Sequence, residues 1–250
     1  MSDWLFDLGN TRLKLGPLGH DGAGPVSAFA HDGAHVAPAW ISALPTEMDV
    51  AWVASVGPPA LRASLLQALV PRAARVVEVR VERDMAGVRI GYGEPARLGV
   101  DRALALVGAR VRVSGWALVV GVGTALTIDL LDSTGTHLGG AIAPSPTLMR
   151  EALHARAPRL PAGGGVAAPF GTDTDDALAG GCLGAALGLI ERSCRHACAR
   201  AGLPPALLLH GGGAADLVEQ LDGAVHVPSL VMEGLAQLAR HAARGRESAG

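Results

Sequence analysis

The first candidate for chemistry is a glycine-containing turn close to the start of the sequence. The segment Asp7-Leu8-Gly9-Asn10-Thr11-Arg12-Leu13-Lys14 brings together a carboxylate, a glycine, small amide and hydroxyl side chains, and a lysine. A phosphate-binding hairpin needs glycine where the backbone approaches oxygen atoms, inward N–H groups, and a carboxylate that can hold Mg²⁺ through water. The plain alternative is that Gly9-Asn10 is only a hairpin turn and Lys14 a solvated side chain.

Two further glycine-rich turns favour the phosphate interpretation. Gly121-x-Gly123-Thr124-Ala125-x-Thr127 repeats the glycine-threonine pattern in the second half of the chain. His210-Gly211-Gly212-Gly213 follows an apolar run and precedes a helical pattern, which suits close approach to a nucleotide, although it is equally a strand-to-helix turn. The chain also has one asparagine, one lysine and one tyrosine, which are Asn10, Lys14 and Tyr92. Because the sequence is biased toward Ala, Gly, Arg and Pro, residue types that occur only once are candidates for chemical roles.

Strands and helices of alternating pattern must position these turns. In the first half, alternation and apolar runs predict strands at 4–8, 13–16, 50–54 and 76–81, and helices at 60–70 and 101–110, the last with Asp101 as its cap. In the second half they predict strands at 117–120, 125–131, 137–143 and 206–209, and helices at 147–155, 174–201 and 230–244. This twice-repeated order predicts an α/β protein of two lobes, 1–114 and 115–250, with a nucleotide cleft between them. The Pro161–Pro169 segment, rich in Gly, Ala and Pro, is predicted to be a mobile loop.

Composition excludes several classes of function. The chain is 49% hydrophobic and 18% charged with a formal net charge of -2, which is typical of a globular protein and offers nothing to nucleic acid or an anionic membrane. The apolar run 115–128 is too short and too glycine-rich to cross a bilayer. Three cysteines and no signal-like start predict a cytoplasmic protein.

In order and spacing, a set of motifs across most of the chain resembles the type III pantothenate kinases, of the acetate and sugar kinase/actin superfamily with ribonuclease H-like lobes. The motifs are Asp7 to Lys14; Tyr92-Gly93-Glu94-Pro95; Leu98-Gly99-Val100-Asp101-Arg102; Gly123-Thr124-Ala125-Leu126-Thr127-Ile128-Asp129; Gly139-Gly140-Ala141-Ile142-Ala143-Pro144; Gly171-x-x-Thr174; and Gly211-Gly212. The resemblance implies transfer of the ATP γ-phosphate to the primary hydroxyl of pantothenate, the first step of coenzyme A synthesis. It also implies Mg²⁺, an activating monovalent cation (K⁺ or NH₄⁺), and a homodimer. The predicted helices 147–155 and 174–201 are the candidate dimer surfaces.

The resemblance assigns roles to particular residues. The segment Asp7 to Lys14 and Thr124 match nucleotide-binding positions, with Asp7 a candidate for holding Mg²⁺ through water. Asp101 matches the proton acceptor, although Asp before an apolar helix is also an ordinary cap. The remaining matches are substrate positions: Tyr92, Gly99, Val100, Arg102 and Thr174. Arg102 suits a carboxylate because its planar fork can bind both oxygens, Tyr92 is alternatively a core aromatic, and Thr174 is alternatively a helix cap.

Two departures and three rival interpretations remain. The family usually has Asp where this chain has Gly121, which puts the monovalent-cation site in doubt, and usually has Gly where this chain has Ser145.

The rival interpretations are an actin-like kinase for another small substrate, a non-catalytic regulator that retains the fold, and a dinucleotide site at Gly91–Ala96. Pro95 stands where that site needs a helix start, and no acidic ribose ligand follows. The absence of a G-x-x-x-x-G-K-[ST] pattern excludes a P-loop kinase.

Overall fold

The computed structural model describes residues 2–247, and the chain divides into two compact units. Unit 1 contains the residues up to Ser114, the short segment Gly135–His137, and the residues from Ser229 onward; unit 2 contains Gly115–Thr134 and Leu138–Pro228. Among the described residues, no helix combines the length and apolar character needed to cross a membrane.

The elements follow one another in mixed α/β order. The first half contains β1 (Trp4–Leu8), β2 (Arg12–Pro17), β3 (Ser27–Ala30), α1 (Ala39–Ser42), β4 (Met48–Ser55), α2 (Pro59–Leu69), β5 (Ala73–Glu78), β6 (Asp84–Met85), β7 (Val88–Arg89), a 3-10 turn (Pro95–Arg97) and α3 (Val100–Arg112). The second half contains β8 (Ala117–Val122), β9 (Ala125–Leu131), β10 (His137–Pro144), α4 (Pro146–Arg156), α5 (Thr174–Ala201), β11 (Ala206–His210), α6 (Ala215–Val218), β12 (Ala224–His226) and α7 (Leu230–Glu247).

The same sheet is built twice. In unit 1 the strand order is β3-β2-β1-β4-β5, and in unit 2 it is β10-β9-β8-β11-β12. In each sheet the central strand pairs antiparallel with the strand that follows it and parallel with a later one. The predicted repetition of one α/β plan in both halves is therefore confirmed. The short edge strands β3 and β12, and the small β6–β7 hairpin, were not predicted.

Each sheet has its own core. In unit 1 one face of the sheet, with Phe6 and Leu13 fully buried, packs against the apolar stripe Leu61, Leu65 and Leu69 of α2. In unit 2 the strands β8, β9 and β11 pack against the small and branched residues of α5 and against α6. Burial of these faces supplies the main favourable term for forming each sheet.

The last helix, α7, packs against α3 in unit 1, whereas the prediction assigned residues 115–250 to a single lobe. Glycines make this close crossing possible: a Cβ on Gly234 would lie 1.9 Å from the Leu104 carbonyl oxygen, and one on Gly108 would lie 2.3 Å from that of Leu230. At the rim, Arg112 donates two hydrogen bonds to Glu233, at 2.6 and 2.7 Å. The hydrogen bonds from Arg112 lower the pKa of Glu233.

Candidate active site

Asp7 is a buried carboxylate at the centre of the first sheet. It lies on β1 directly opposite Lys14 of β2 and beside Ala54 of β4. Its side chain is 8% exposed. Burial raises the pKa of Asp7 to about 6; the positive charge of Lys14 opposes this rise and the negative charge of Asp101 adds to it. Asp7 is therefore a buried carboxylate within electrostatic reach of both a lysine and a second carboxylate.

The tip of the β1–β2 hairpin leaves its polar groups in solvent. Leu8 and Leu13 are fully buried and anchor the two strands, while Asn10, Thr11 and Arg12 are exposed. The Gly9 N–H donates to the Arg12 carbonyl at 3.0 Å, which closes the turn. The hairpin thus presents a backbone loop with amide, hydroxyl and guanidinium side chains, a donor set that suits phosphate oxygens.

His31 contacts the backbone of this hairpin, and no motif in the sequence pointed to it. The Gly33 N–H donates to Nδ1 of His31 at 3.3 Å, which leaves Nε2 as the protonated nitrogen that donates to the Gly9 carbonyl at 2.9 Å. On the other side, a Cβ on Gly57 would lie 2.7 Å from the same carbonyl oxygen. The Gly9 carbonyl oxygen is therefore held by the hydrogen bond from His31, and it fits beside Gly57 because Gly57 has no side chain.

Asp101 lies in the first turn of α3 and is not its cap. The capping position belongs to Gly99, with no side-chain cap hydrogen bond, and α3 begins at the buried Val100. Asp101 Oδ1 accepts the N–H of Arg102 at 2.9 Å. A Cβ on Gly99 would lie 2.6 Å from that oxygen. The prediction of Asp101 as the cap is wrong because the chain turns into the helix two residues earlier, at Gly99, which has no side chain.

Tyr92, Arg102 and His137 form a stack of flat groups in unit 1. The guanidinium carbon of Arg102 lies 5.9 Å from the centre of the Tyr92 ring, and the His137 ring lies 5.4 Å from it at an interplanar angle of 30°. Arg102 is 7% exposed and His137 is fully buried. His137 is 45 positions from Tyr92, so no local sequence pattern points to this contact.

Unit 2 brings the two other predicted glycine turns together. Gly123 and the exposed Thr124 connect β8 to β9, and the Gly123 N–H donates to the Ala125 carbonyl at 3.0 Å. Beside this turn, the Gly213 N–H donates to the Val122 carbonyl at 3.0 Å. Gly211 has a positive φ of 96°, and a Cβ there would lie 2.3 Å from the same oxygen. Only glycine fits this approach of the two loops.

At Gly121 there is no space for the carboxylate that the resemblance leads one to expect. A Cβ would lie 2.6 Å from Oγ1 of Thr127 and 3.0 Å from Nε2 of His210, which is the partner of Gly121 in the β8–β11 register. The hydroxyl and the imidazole fill the position of the missing side chain. Asp129, one strand further along, is buried at 2% exposure.

Thr174 is the first residue of α5 and is exposed, but the cap is Asp173, whose side chain accepts the Asp176 N–H at 2.9 Å. The preceding loop is fastened to the helices beside it. The Val166 N–H donates to Asp176 at 2.7 Å, and Arg150 of α4 donates to the Gly164 carbonyl at 2.6 Å. The segment expected to be mobile therefore has anchors on both α4 and α5.

Unit 2 also contains a cavity of about 370 Å³ between its sheet and α5, lined among others by Gly139, Gly140, His196 and Arg200. None of the residues predicted for the catalytic or binding site lines it. Among the described residues, no group of three or more His, Cys, Asp or Glu side chains is arranged to hold a metal ion. A divalent ion in unit 1 would have one or two carboxylates, as Mg²⁺ bound to phosphates commonly does.

Comparisons with known proteins agree with one another. A model of the type III pantothenate kinase family matches residues 4–196. A type III pantothenate kinase from Stenotrophomonas maltophilia (strain R551-3) is 54% identical over 245 residues, which cover 98% of this chain and all of that protein. Among solved structures, the activator of the 2-hydroxyisocaproyl-CoA dehydratase from Clostridium difficile has a TM-score of 0.57 at 11% identity, covering 100% of this chain and 98% of that one. MreB 5 of Spiroplasma citri has a TM-score of 0.50 at 11% identity, covering 99% and 98%.

Proposed function

Because this chain belongs to the type III pantothenate kinase family, we propose that it transfers the γ-phosphate of ATP to the primary hydroxyl of pantothenate, with Asp101 as the proton acceptor. The product is 4'-phosphopantothenate, and the reaction is the first step of coenzyme A synthesis. The observation that supports the assignment of residues is that Asp7 is buried opposite Lys14 and lies within electrostatic reach of Asp101, all three in unit 1.

The chemistry needs a base, since a primary alcohol is a weak nucleophile at neutral pH. A positioned carboxylate that accepts the hydroxyl proton contributes about 10²- to 10⁴-fold in rate. Asp101 suits this role because its carboxylate has a defined orientation. Its Oδ1 accepts the N–H of Arg102 in the first turn of α3, and Gly99 has no side chain that would crowd this oxygen. Lys14 and the hairpin tip from Gly9 to Arg12 supply positive charge and N–H groups for the phosphates.

The carboxylates fit a divalent cation. Asp7 is buried beside the like charge of Asp101, and this raises its pKa; a nearby cation would offset both costs. Asp7 would hold Mg²⁺ through water, with the remaining ligands from the nucleotide phosphates. When bound, the ion neutralises charge that develops on the transferred phosphoryl group.

The substrate end of the site is assigned to the stack beside α3. The guanidinium of Arg102 can bind the pantothenate carboxylate with two parallel hydrogen bonds, and the Tyr92 ring offers a flat apolar surface beside it. Gly99 and Val100 supply backbone at the start of the helix. Thr174 is exposed at the start of α5, where its hydroxyl is open to a ligand, and Thr124 is placed at an exposed turn suited to the nucleotide.

Three finer assignments belong to the same proposal. The enzyme works as a homodimer in the cytoplasm, with the dimer surface on α4 and α5; exposed apolar side chains at Leu153, Phe170 and Val166 support this face. The monovalent-cation site of the family is weakened or absent, since Thr127 and His210 occupy the space at Gly121. The net charge of -2 is consistent with a small-molecule substrate rather than nucleic acid or a membrane.

The central test is ADP release coupled to a spectroscopic assay, with pantothenate as acceptor. Asp101→Asn should lower kcat by at least about 10²-fold while leaving ATP affinity within about threefold, because the amide cannot accept the proton but keeps the shape. The matched control is Asp222→Asn, which changes an exposed carboxylate of unit 2. Full activity in Asp101→Asn would remove the base assignment, and no activity of the unaltered chain with pantothenate would remove the proposed function.

The rival functions gain no support. A regulator that merely retained the fold would not need a buried carboxylate at the position of Asp7, where burial disfavours its charged form. A kinase for a different alcohol is disfavoured by the identity to pantothenate kinases over nearly the whole chain.

A further inference from the structure

Arg83, which the active-site assignment does not use, binds the backbone of the segment that carries Tyr92. Its Nη1 donates to the carbonyl oxygens of Ile90 at 2.8 Å and Tyr92 at 2.6 Å, and its Nη2 donates to that of Gly93 at 2.8 Å. One guanidinium thus satisfies three carbonyls within four residues. The rigid fork of arginine spreads its donors over the spacing that these carbonyls need, whereas a lysine presents all its donors from a single nitrogen.

The hairpin β6–β7 gives Arg83 its place. The Ile90 N–H donates to the Arg83 carbonyl at 2.8 Å, so these two residues close the hairpin at its open end. The hairpin turns through Ala86 and Gly87, both with positive φ, at 46° and 93°. Beyond Ile90 the strand pairing ends. The Arg83 side chain then donates hydrogen bonds to carbonyls that have no partner strand.

The backbone of the Gly91–Gly93 segment has little intrinsic rigidity. Tyr92 is flanked by Gly91 and Gly93, which lose more conformational freedom on ordering than other residues do. No regular strand or helix includes these residues. Without other contacts to hold them, ordering these residues on substrate binding would cost backbone conformational entropy.

A second hold acts on the Tyr92 ring. His137 stacks on it at 5.4 Å, and the segment that carries His137 is fastened next to the hairpin, because the Arg89 N–H donates to the Gly135 carbonyl at 2.9 Å. Gly135 itself comes close to the hairpin turn: a Cβ there would lie 2.4 Å from the Gly87 carbonyl. The backbone of Tyr92 is thus held by Arg83, and its ring by His137.

We propose that Arg83 is a positioning residue for substrate recognition: by binding the carbonyls of Ile90, Tyr92 and Gly93 it pre-orders the Tyr92 ring against Arg102, ready for the acceptor substrate. The inference rests on the proposed function, since it needs Tyr92 and Arg102 to contact pantothenate. It assigns to Arg83 no contact with substrate. Pre-ordering lowers the entropy lost on binding, so its loss appears in the affinity for the acceptor and not in that for ATP.

The chain offers a direct probe, because Tyr92 is its single tyrosine. Incorporation of 3-fluorotyrosine gives one ¹⁹F resonance that reports the surroundings of this ring alone. The variants are Arg83→Leu, Arg83→Lys and, as a matched control, Arg80→Leu, which removes an exposed arginine three positions earlier. Each is studied as the full chain by ¹⁹F NMR with and without pantothenate, by steady-state kinetics for both substrates, and by thermal unfolding.

In Arg83→Leu we expect the pantothenate KM to rise by about tenfold to a hundredfold, with the ATP KM unchanged and the ¹⁹F line shifted or broadened. Arg83→Lys should recover part of both effects, and Arg80→Leu should match the unaltered chain. An unchanged ¹⁹F line and KM in both Arg83 variants would overturn the proposal. So would a general loss, in which both KM values and the unfolding midpoint change together in both variants.

The same measurements separate this inference from the function it rests on. If pantothenate shifts the ¹⁹F line of the unaltered chain, Tyr92 senses the acceptor, and the Arg83 variants then decide the role of Arg83 alone. If the unaltered chain phosphorylates pantothenate but its line does not respond, the Tyr92 assignment fails and the Arg83 proposal fails with it. If pantothenate is not phosphorylated at all, the proposed function itself is wrong.

Discussion

At the scale of single residues, Asp7 shows a conflict between stability and function. A carboxylate at 8% exposure next to another carboxylate is unfavourable in its charged form, which is why its pKa is raised to about 6. In the sheet Asp7 lies between Lys14 and Ala54, and the positive charge of Lys14 opposes the effect of burial without cancelling it. We propose that the charge is retained for a ligand and that the protein without ligand bears the energetic cost.

Asp7→Asn should therefore stabilise the protein near neutral pH while impairing its activity. The folded state binds the Asp7 proton more tightly than the unfolded state, whose pKa is near the ordinary 3.8. The cost is absent below about pH 4, grows as pH rises to about 6, and stays constant above; it amounts to about 3 kcal/mol. Urea unfolding of the ligand-free protein at pH 5 and pH 7 measures it.

The unaltered chain should lose part of its free energy of unfolding between these two pH values, and Asp7→Asn should lose less. Other carboxylates titrate in both proteins, so the difference between the two profiles isolates Asp7. Identical profiles would mean that Asp7 is not strained, and an active Asp7→Asn variant would mean that its charge does not serve the nucleotide.

Gly121 makes a second prediction at this scale, about cation activation. Because Thr127 and His210 fill the place of a carboxylate, we expect replacement of K⁺ by Na⁺ at constant ionic strength to change turnover by less than about threefold, equivalent to under 1 kcal/mol of transition-state free energy. The measurement is initial rate at saturating ATP and pantothenate in each salt, with NH₄⁺ as a third arm. A strict requirement for K⁺ or NH₄⁺ would show that backbone or other groups build the site.

At the scale of elements, local chemistry decides how well the sequence predicts the structure. The bounds of α5 were predicted without error because Asp173 caps its start and Gly202, at φ of 75°, ends it. The strands β3 and β12 were missed because they are short, exposed edge strands with little apolar alternation. The hairpin of Asp7 to Lys14 was recognisable because its turn residues and its chemistry are contiguous.

The crossing of α3 and α7 gives a prediction for packing. Gly234→Ala should lower the free energy of unfolding by about 1–3 kcal/mol, since the added methyl would lie 1.9 Å from the Leu104 carbonyl and the helices must move apart. Gly184→Ala on α5 is the matched control, because nothing lies within 4 Å of its Cβ position; it should leave stability unchanged or raise it by about 1 kcal/mol. Chemical denaturation measures both, and equal behaviour of the two variants would contradict a tight crossing.

At the scale of the whole molecule, contacts between distant segments are what sequence patterns could not reveal. Three such contacts join residues that no sequence periodicity relates. They are the hydrogen bond of His31 to Gly9, the stacking of His137 on Tyr92, and the hydrogen bond of Arg83 to Tyr92. The repeated sheet plan was predictable because each lobe reuses the same order of local signals. The placement of α7 was not, since an amphipathic helix at the end of a chain shows an apolar stripe but not which surface covers it.

That placement has a consequence for how the protein is made. Unit 1 combines the residues up to Ser114 with α7, so α3 lacks the helix that covers it until α7 has been synthesised. Unit 2 lies entirely between residues 115 and 228 and has its own sheet and core, so it can complete its fold while the ribosome is still at work. During that interval the residues up to Ser114, which include the proposed nucleotide hairpin and the proposed proton acceptor, leave the apolar surface of α3 uncovered.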